Sequence, residues 1–188
     1  MTRTLLVLAC VVFVLLLLAG MWWGWTNRGK RQADLPELPE VSATLSAALL
    51  APLTGLYVGT TFASSWQDRV VHGGLGVQAD VAASWHSEGL LLDRAGAEPI
   101  FIPVAAITGA RLAPGLAGRV VGAGGLLVVS WNLGEHALDT GIRADDKSAY
   151  PTWVRTIEAS SDESTRSETA NSPSLIKEIR HSAEGEDQ

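Results

Sequence analysis

Three patterns of apolar and polar positions follow one another along the 188-residue chain. Residues 4–25 form an uncharged apolar run, residues 53–143 contain short apolar segments between turns, and residues 146–161 repeat apolar positions with a helical period. An uncharged run of about 20 residues is long enough to cross the hydrocarbon core of a bilayer as a helix. The first pattern therefore predicts a transmembrane helix at residues 5–26, preceded by a short N-terminal segment at residues 1–4.

Side chains suited to the membrane interface follow this run. The indoles are Trp22, Trp23 and Trp25, and the cations are Arg28, Lys30 and Arg31. Indole rings favour the headgroup level because an apolar ring carries a polar N–H. Only Arg3 and the N-terminal amine precede the run, so the positive-inside rule places the C-terminal domain in the cytoplasm. The long run and the tryptophans after it differ from a cleaved signal peptide, and we predict a single-pass protein of the cytoplasmic (inner) membrane.

The predicted span also has a face suited to packing against another helix. Gly20 and Gly24 lie four residues apart, a small-xxx-small spacing that lets two helices approach closely. The span contains no Asp, Glu, Lys, Arg or His, the residue types that usually mark an ion route through a membrane. Lateral assembly with a partner is therefore a better expectation than transport by this chain alone.

The second pattern predicts strands, because β-branched and aromatic segments recur between glycine- and proline-containing turns. We place them at residues 53–62, 77–85, 89–94, 99–104, 107–112, 126–133 and 136–143. Short strands spaced in this way are typical of a small antiparallel barrel or sandwich. After the first strand, "SSWQDRVVHGGLG" predicts a short helix with Ser64 or Ser65 as its N-cap. Trp66, Arg69 and Val70 would share one face of that helix.

The third pattern predicts an amphipathic helix. Its apolar positions are Tyr150, Trp153, Val154 and Ile157. Pro151 suits the first helical turn, and Asp146 or Ser148 could cap it. This stripe would be buried against the open end of the strand barrel. The predicted organisation is thus a basic and proline-rich linker at residues 27–45, a β-domain at residues 46–159, and a disordered acidic tail at residues 160–188.

Composition and charge argue against several classes of function. The net charge is −6, and the part of the chain after Ala33 has ten basic residues against twenty acidic ones. Such a surface does not favour nucleic acid, whose binding requires clustered cations. The single cysteine, Cys10, excludes an internal disulfide, and the four histidines are too widely spaced for an obvious metal site. We expect no metal and no cofactor.

One tetrapeptide, Leu138–Gly141, matches the Asp-Thr-Gly loop of aspartic proteases. Those enzymes need two such loops facing each other, because two carboxylates share one proton. After Gly141 only a helix and a polar tail remain, so we interpret the match as accidental. As part of a strand, Leu138 and Ile142 would point inward, Ala137 and Asp139 outward, and Gly141 would relieve crowding before the helix. No other catalytic motif is present in the sequence, and we predict that the protein is not an enzyme.

Three segments carry a family resemblance. They are "GLLLDR…IFIPVAAITGARL" at residues 89–112, "AGRVV" at residues 117–121 and "VVSWNL" at residues 128–133. With the N-terminal apolar helix and the C-terminal amphipathic helix, they resemble the bacterial PH-like (pleckstrin-homology-like) membrane proteins over roughly residues 50–158. The resemblance implies an α+β, mainly β fold, namely a PH-like split antiparallel β-barrel capped by a helix. It also implies binding or scaffolding instead of catalysis.

These observations predict a membrane-anchored PH-like domain that acts as a protein-binding or assembly module at the inner face of the membrane. The alternative is an accessory subunit of a membrane transport or export complex. Phosphoinositide binding is not expected, because residues 46–157 contain seven basic residues, spread singly, against nine acids. Arg111 and Arg119 bracket a Pro-Gly loop and are the candidate contacts for a single anion.

Overall fold

The computed structural model describes residues 12–21, 35–41 and 45–170 of the chain. The protein divides into two compact units, Met1–Pro36 and Glu37–Gln188. In the first unit, residues 12–21 form helix α1. Within those three ranges, no helix combines the length and the apolarity that crossing a bilayer requires.

The predicted span at residues 5–26 extends beyond the described residues on both sides. The predicted interface residues Trp22, Trp23, Trp25, Arg28, Lys30 and Arg31 lie outside the described residues, as does Gly24. Gly20 lies in α1, and a Cβ placed on it would have no described atom outside the backbone of its own helix within 4 Å. That side of α1 is therefore open among the described residues.

The second unit contains nine strands in its described part. They are β1 (Leu53–Phe62), β2 (Ala79–Trp85), β3 (Gly89–Arg94), β4 (Ile100–Pro103), β5 (Ile107–Ala113), β6 (Gly115–Leu116), β7 (Arg119–Val120), β8 (Leu126–Leu133) and β9 (His136–Ala144). Three short 3-10 helices lie at His72–Gly74, Val104–Ala106 and Lys147–Ala149, and helix α2 spans Tyr150–Ala170. The longer strands coincide closely with those that the sequence predicts.

Seven strands form one antiparallel sheet in the order β4-β3-β2-β1-β9-β8-β5, and β6 pairs with β7 as a separate hairpin. The seven strands do not close into a barrel, because β4 and β5 are the two edges of the sheet. Helix α2 packs against β5 and against the 3-10 helix Val104–Ala106 that connects the two edges. The predicted mainly β, antiparallel class with a C-terminal helix is confirmed, and the sheet is open.

The inner face of the sheet holds the core. Its largest fully buried side chains include Trp85, Trp131, Leu90, Leu92, Ile100 and Ile102. Helix α2 adds Tyr150, Trp153 and Ile157, each at most 2% exposed. Burying an aliphatic or aromatic side chain of this size stabilises a fold by about 1.5–3 kcal/mol. The apolar stripe predicted for α2 therefore faces the sheet, with the Asp146 side chain accepting a hydrogen bond from Ser148 N–H just before the helix.

A second apolar cluster lies on the outer face, beneath the β6–β7 hairpin. It contains Val58, Ala113, Leu116, Leu126 and Val128, with Ala117 and Val121 packed against it. Leu116 lies directly over Gly141, where an added Cβ would come within 2.7 Å of its Cδ2 atom. Gly141 thus makes room for the hairpin, and not for the turn toward the helix that we predicted.

The prediction of a short helix after β1 is wrong. Residues 63–67 form turns, followed by an isolated bridge between Arg69 and Thr61. Val70 N–H donates to Thr60 O at 2.9 Å, and Val70 is fully buried. The loop therefore returns along β1, and its backbone groups bond to the strand instead of forming a helical ladder.

Helix α2 continues past the predicted start of the tail at residue 160 and ends at Ala170. The hydroxyls of Ser160 and Ser164 donate to carbonyls four residues earlier, at 2.9 and 3.0 Å. A serine that bonds in this way is satisfied within a helix and does not need to break it. Residues 171–188 of the predicted tail lie outside the described residues.

Candidate functional site along strand β5

Strand β5 pairs with another strand along one edge only, and helix α2 packs against the same strand. Strand β5 pairs with β8 from Ile107 opposite Trp131 to Ala113 opposite Leu126, and no other described strand pairs with it. The peptide groups of an open edge can bond to an added strand. The opposite edge, β4, has only four residues and ends at Pro103, which lacks an N–H to donate. Of the two sheet edges, β5 is thus the better template for another chain.

Alternate residues of β5 face the outer side of the sheet. They are Gly109, Arg111 and Ala113, which lie opposite Ser130, Val128 and Leu126 of β8. A cavity of about 470 Å³ adjoins Gly109, and one of about 370 Å³ adjoins Ala113. Arg111 lines both cavities. We name this surface, from Gly109 through Arg111 to Ala113 with the two cavities, the β5 groove.

Arg111 is held in the centre of the groove by a buried carboxylate. Its Nη2 donates to Asp139 Oδ2 at 2.6 Å, while Ser130 Oγ donates to Asp139 Oδ1 at 2.6 Å. The side chain of Asp139 is 7% exposed and that of Arg111 is 52% exposed. The carboxylate therefore holds the guanidinium through Nη2, and about half of the Arg111 side chain stays exposed to solvent.

The same contacts decide the role of Asp139. We predicted an outward-facing residue of an accidental protease motif, and Asp139 does lie on the outer face, but it is buried under Arg111. Both of its oxygens accept hydrogen bonds, from Arg111 and Ser130. The role of the Asp139 carboxylate is therefore to orient the Arg111 guanidinium.

The end of the groove near α2 is acidic. The 470 Å³ cavity is lined by Thr108 and Gly109 on the strand and by Glu158, Ser161 and Asp162 on the helix. Glu158 and Asp162 are exposed. A Cβ placed on Gly109 would meet no atom within 4 Å, so the strand leaves open space at this point.

The other end of the groove is apolar. Trp66, Ala113, Pro114 and Val120 line the 370 Å³ cavity together with Arg111. Trp66 is 45% exposed and Val120 is 71% exposed, although both are large apolar side chains. The loop after β1 and the β6–β7 hairpin form the two walls of this cavity.

Of the two predicted anion contacts, Arg111 lines both cavities of the groove and Arg119 lines neither. Arg119 is an exposed residue of β7, paired in register with Leu116. Arg111 remains a candidate contact for an anion by itself. Its position was predicted, whereas its partner Asp139, 28 residues away, was not.

Two other arginines near the β1–β2 loop bond to backbone carbonyls. Arg94 Nη1 donates to Gly74 O at 2.7 Å, and its Nε and Nη2 donate to Glu98 O at 3.0 and 2.7 Å. Arg69 Nη1 donates to Gly76 O at 2.8 Å, and its Nη2 donates to Ala117 O at 3.2 Å. Arg94 is only 3% exposed. These cations fix loops to the sheet.

A chain of buried hydroxyls crosses the inner face. Trp131 Nε1 donates to Thr140 Oγ1, which lies 2.7 Å from Thr60 Oγ1, and Thr60 Oγ1 lies 2.8 Å from Tyr57 Oη. Tyr57 Oη in turn donates to Leu75 O at 2.6 Å. Because the indole only donates and the carbonyl only accepts, the protons must all point from Trp131 toward Leu75. Burial raises the pKa of Tyr57 to about 12.

Sequence alternation could not reveal this chain. The register of β1 against β9 shifts between Tyr57 and Gly59, so Tyr57 and Thr60 share the inner face although they are three positions apart. A strict two-residue period would have placed them on opposite faces.

The segment before β1 is attached to the turn between β2 and β3. Ser46 N–H and Oγ–H donate to the Glu88 carboxylate, the latter at 2.8 Å. These hydrogen bonds hold the pKa of Glu88 below its usual value, and the bond from the Ser46 side chain has the largest effect. His86 Nδ1 lies 2.8 Å from Ser46 O, and its Nε2 lies 2.8 Å from Ser84 Oγ. Because Ser46 O can only accept, Nδ1 carries a proton, and in the neutral imidazole Ser84 donates to Nε2.

A different concave surface carries three carboxylates. Asp80, Asp93 and Asp145 line an open depression of about 530 Å³. Within the described ranges, no group of three or more His, Cys, Asp or Glu side chains is close enough to hold a metal. The β5 groove is the surface that combines an open strand edge with flanking cavities.

The seven-stranded antiparallel sheet, packed against a C-terminal helix, is consistent with a PH-like fold. PH-like domains are generally non-catalytic modules that bind proteins or lipids. Residues 35–158 match the bacterial PH domain-like family, and the chain belongs to that family. No curated protein shows significant similarity to the chain.

Proposed function

We propose that the protein is a membrane-anchored, protein-binding PH-like module that takes a segment of its partner along the β5 groove. The edge of β5 that no described strand pairs with, flanked by two cavities, carries this proposal. An extended segment added to such an edge gains main-chain hydrogen bonds, and the cavities beside the edge select its side chains.

The arrangement of cations favours a protein partner over an inositol lipid. A headgroup with several phosphates requires several converging Lys or Arg side chains. Arg69 and Arg94 donate to backbone carbonyls, and Arg111 is paired with Asp139. One oriented guanidinium suits a single carboxylate on a partner.

The anchor is the apolar segment at residues 5–26, with the interface residues that follow it. The excess of basic residues after the segment supports a C-terminal domain on the cytoplasmic side. A protease added outside intact cells should leave that domain uncut, and cleavage of it would reverse the orientation.

Site-specific photo-crosslinking in cells tests the binding surface. A photoreactive residue at Thr108 or at Leu112, both exposed on β5, should give the same protein adduct. The same residue at Asp93, exposed on β3, is the matched control and should give none. Adducts of equal yield at all three positions, or at Asp93 alone, would contradict the proposal.

An accessory subunit of a transport or export complex is the second candidate, favoured by the open side of Gly20 in α1. Cysteines introduced at Gly20 and Gly24 should then crosslink to a multispan membrane protein. Crosslinking that is equally efficient from Gly20 and from Leu18, which lies on the opposite face of α1, would argue against a specific helix neighbour.

A further inference from the structure

The β5 groove has three subsites of different chemistry at regular spacing, and their use in recognition rests on the proposed function. Gly109, Arg111 and Ala113 alternate along one strand, so their subsites are two residues apart, about 6.4–6.8 Å. An added strand has the same spacing, and its alternate side chains would therefore face the three subsites in turn.

The central subsite suits an acidic side chain. Asp139 engages only Nη2 of Arg111, and no described residue bonds to Nε or Nη1. A guanidinium held in this orientation can bind a carboxylate through its remaining N–H groups. The buried Asp139 limits the rotation of Arg111, so less side-chain entropy is lost on binding.

The subsite at Ala113 suits an apolar side chain. The cavity walls are Trp66, Pro114 and Val120, and the small Ala113 forms the floor. Trp66 and Val120 remain 45% and 71% exposed in the chain alone. Covering them with an apolar side chain removes that surface from water.

The subsite at Gly109 suits a basic side chain. Gly109 leaves open space above the strand, and Glu158 and Asp162 of α2 lie across the cavity. Two carboxylates beside one cavity favour a lysine or arginine. An acidic side chain would be repelled there.

We propose that the β5 groove recognises an extended segment with the pattern apolar-x-acidic-x-basic, read from its N-terminus. The order follows from strand direction, because every pair in the sheet is antiparallel and an added strand continuing that arrangement runs opposite to β5. Its first specified residue lies over Ala113, its second over Arg111 and its third beside Gly109.

The test uses the full-length chain in detergent micelles and a displayed library of threonine-rich peptides randomised at three alternate positions. Wild type should enrich Val, Leu or Ile, then Asp or Glu, then Lys or Arg. Glutamate should exceed glutamine at the centre about tenfold, the value of one charge-assisted hydrogen bond. Enrichment of no pattern, or of the reversed order, would overturn the inference.

Single substitutions assign each preference to its subsite. Arg111→Gln should abolish the central acidic preference, whereas Arg119→Gln, a matched control outside the groove, should preserve it. Trp66→Ala should remove the apolar preference alone, which keeps the inference testable if Arg111→Gln does not fold. If Thr108 crosslinks to a partner in cells but selection shows no dependence on Arg111, the pattern fails and the proposed function stands. If Thr108 gives no specific crosslink, the proposed function fails first.

Discussion

Two neighbouring threonines of β1 provide a matched test of the buried hydroxyl chain. Thr60 and Thr61 are both fully buried, but they lie on opposite faces of the sheet. Thr60 Oγ1 lies 2.8 Å from Tyr57 Oη and 2.7 Å from Thr140 Oγ1. Thr61 Oγ1 has no hydrogen-bond partner among the described residues. Replacing each by valine changes one hydroxyl into a methyl group of similar size.

The two substitutions should have opposite effects. Thr60→Val removes two hydrogen bonds, each worth about 0.5–1.5 kcal/mol net, and should lower the free energy of unfolding by about 1–3 kcal/mol. Thr61→Val removes a buried hydroxyl without a partner, so stability should be unchanged or higher by about 1 kcal/mol. For a domain of this size, 1 kcal/mol corresponds to a Tm change of about 4 °C.

Thermal unfolding of the full-length chain in detergent micelles, followed by tryptophan fluorescence, measures both effects. The predicted result is a Tm for Thr60→Val several degrees below that of Thr61→Val. Equal losses in the two variants would show that β-strand packing, and not the hydroxyl chain, determines stability at this position.

Three further predictions concern charged and titrating groups. Hydrogen bonds from Ser46 lower the pKa of Glu88 in the folded domain. Ionised Glu88 therefore stabilises the fold fully above the pKa of an unfolded glutamate, and this stabilisation is lost as the pH falls through the pKa of Glu88 in the folded domain. Glu88→Gln should remove this contribution to the pH dependence of unfolding by urea. Burial raises the pKa of Tyr57 to about 12. The stability that the protonated Tyr57 contributes is therefore complete below the pKa of an unfolded tyrosine and is lost as the pH rises toward 12. The difference in tyrosinate absorbance between wild type and Tyr57→Phe, followed against pH, measures the titration of Tyr57. Arg94→Met should destabilise the domain by about 3 kcal/mol in urea, whereas exposed Arg119→Met should have almost no effect.

Most of the strand architecture is readable from the sequence because it is encoded locally. The bounds of β1, β3 and β8 agree with the predicted segments at residues 53–62, 89–94 and 126–133. The stripe of α2 is likewise predicted by its period. In both cases the side chains that alternate or recur are the ones that pack into the core.

The irregular parts depend on distant residues. The loop after β1 has the spacing of a helix, but its backbone bonds to β1 and Arg69 donates to Gly76 and Ala117. The β6–β7 hairpin has two residues in each strand, too few to show a period, and Leu116 is buried where the hairpin folds over Gly141 and the outer face of the sheet. The local pattern of apolar and polar residues predicts neither the hydrogen bonds of this loop nor the packing of the hairpin.

The candidate site was predicted only in part. Arg111 stands out in the sequence as a cation beside a turn, whereas the burial of Asp139 beneath it depends on β5, β8 and β9 being neighbours. The open edge of β5 follows from the same strand order. Strand order is a property of the whole sheet, and no short segment of the sequence encodes it.

Amide hydrogen exchange with a bound peptide tests most directly whether the domain binds its partner along β5. The full-length chain in micelles would be measured with and without a peptide selected for the apolar-x-acidic-x-basic pattern. Exchange in Ile107–Ala113 should slow on binding, while exchange in Gly89–Arg94 of β3 should be unchanged. Protection confined to the β1–β2 loop, or absent from β5, would contradict the account.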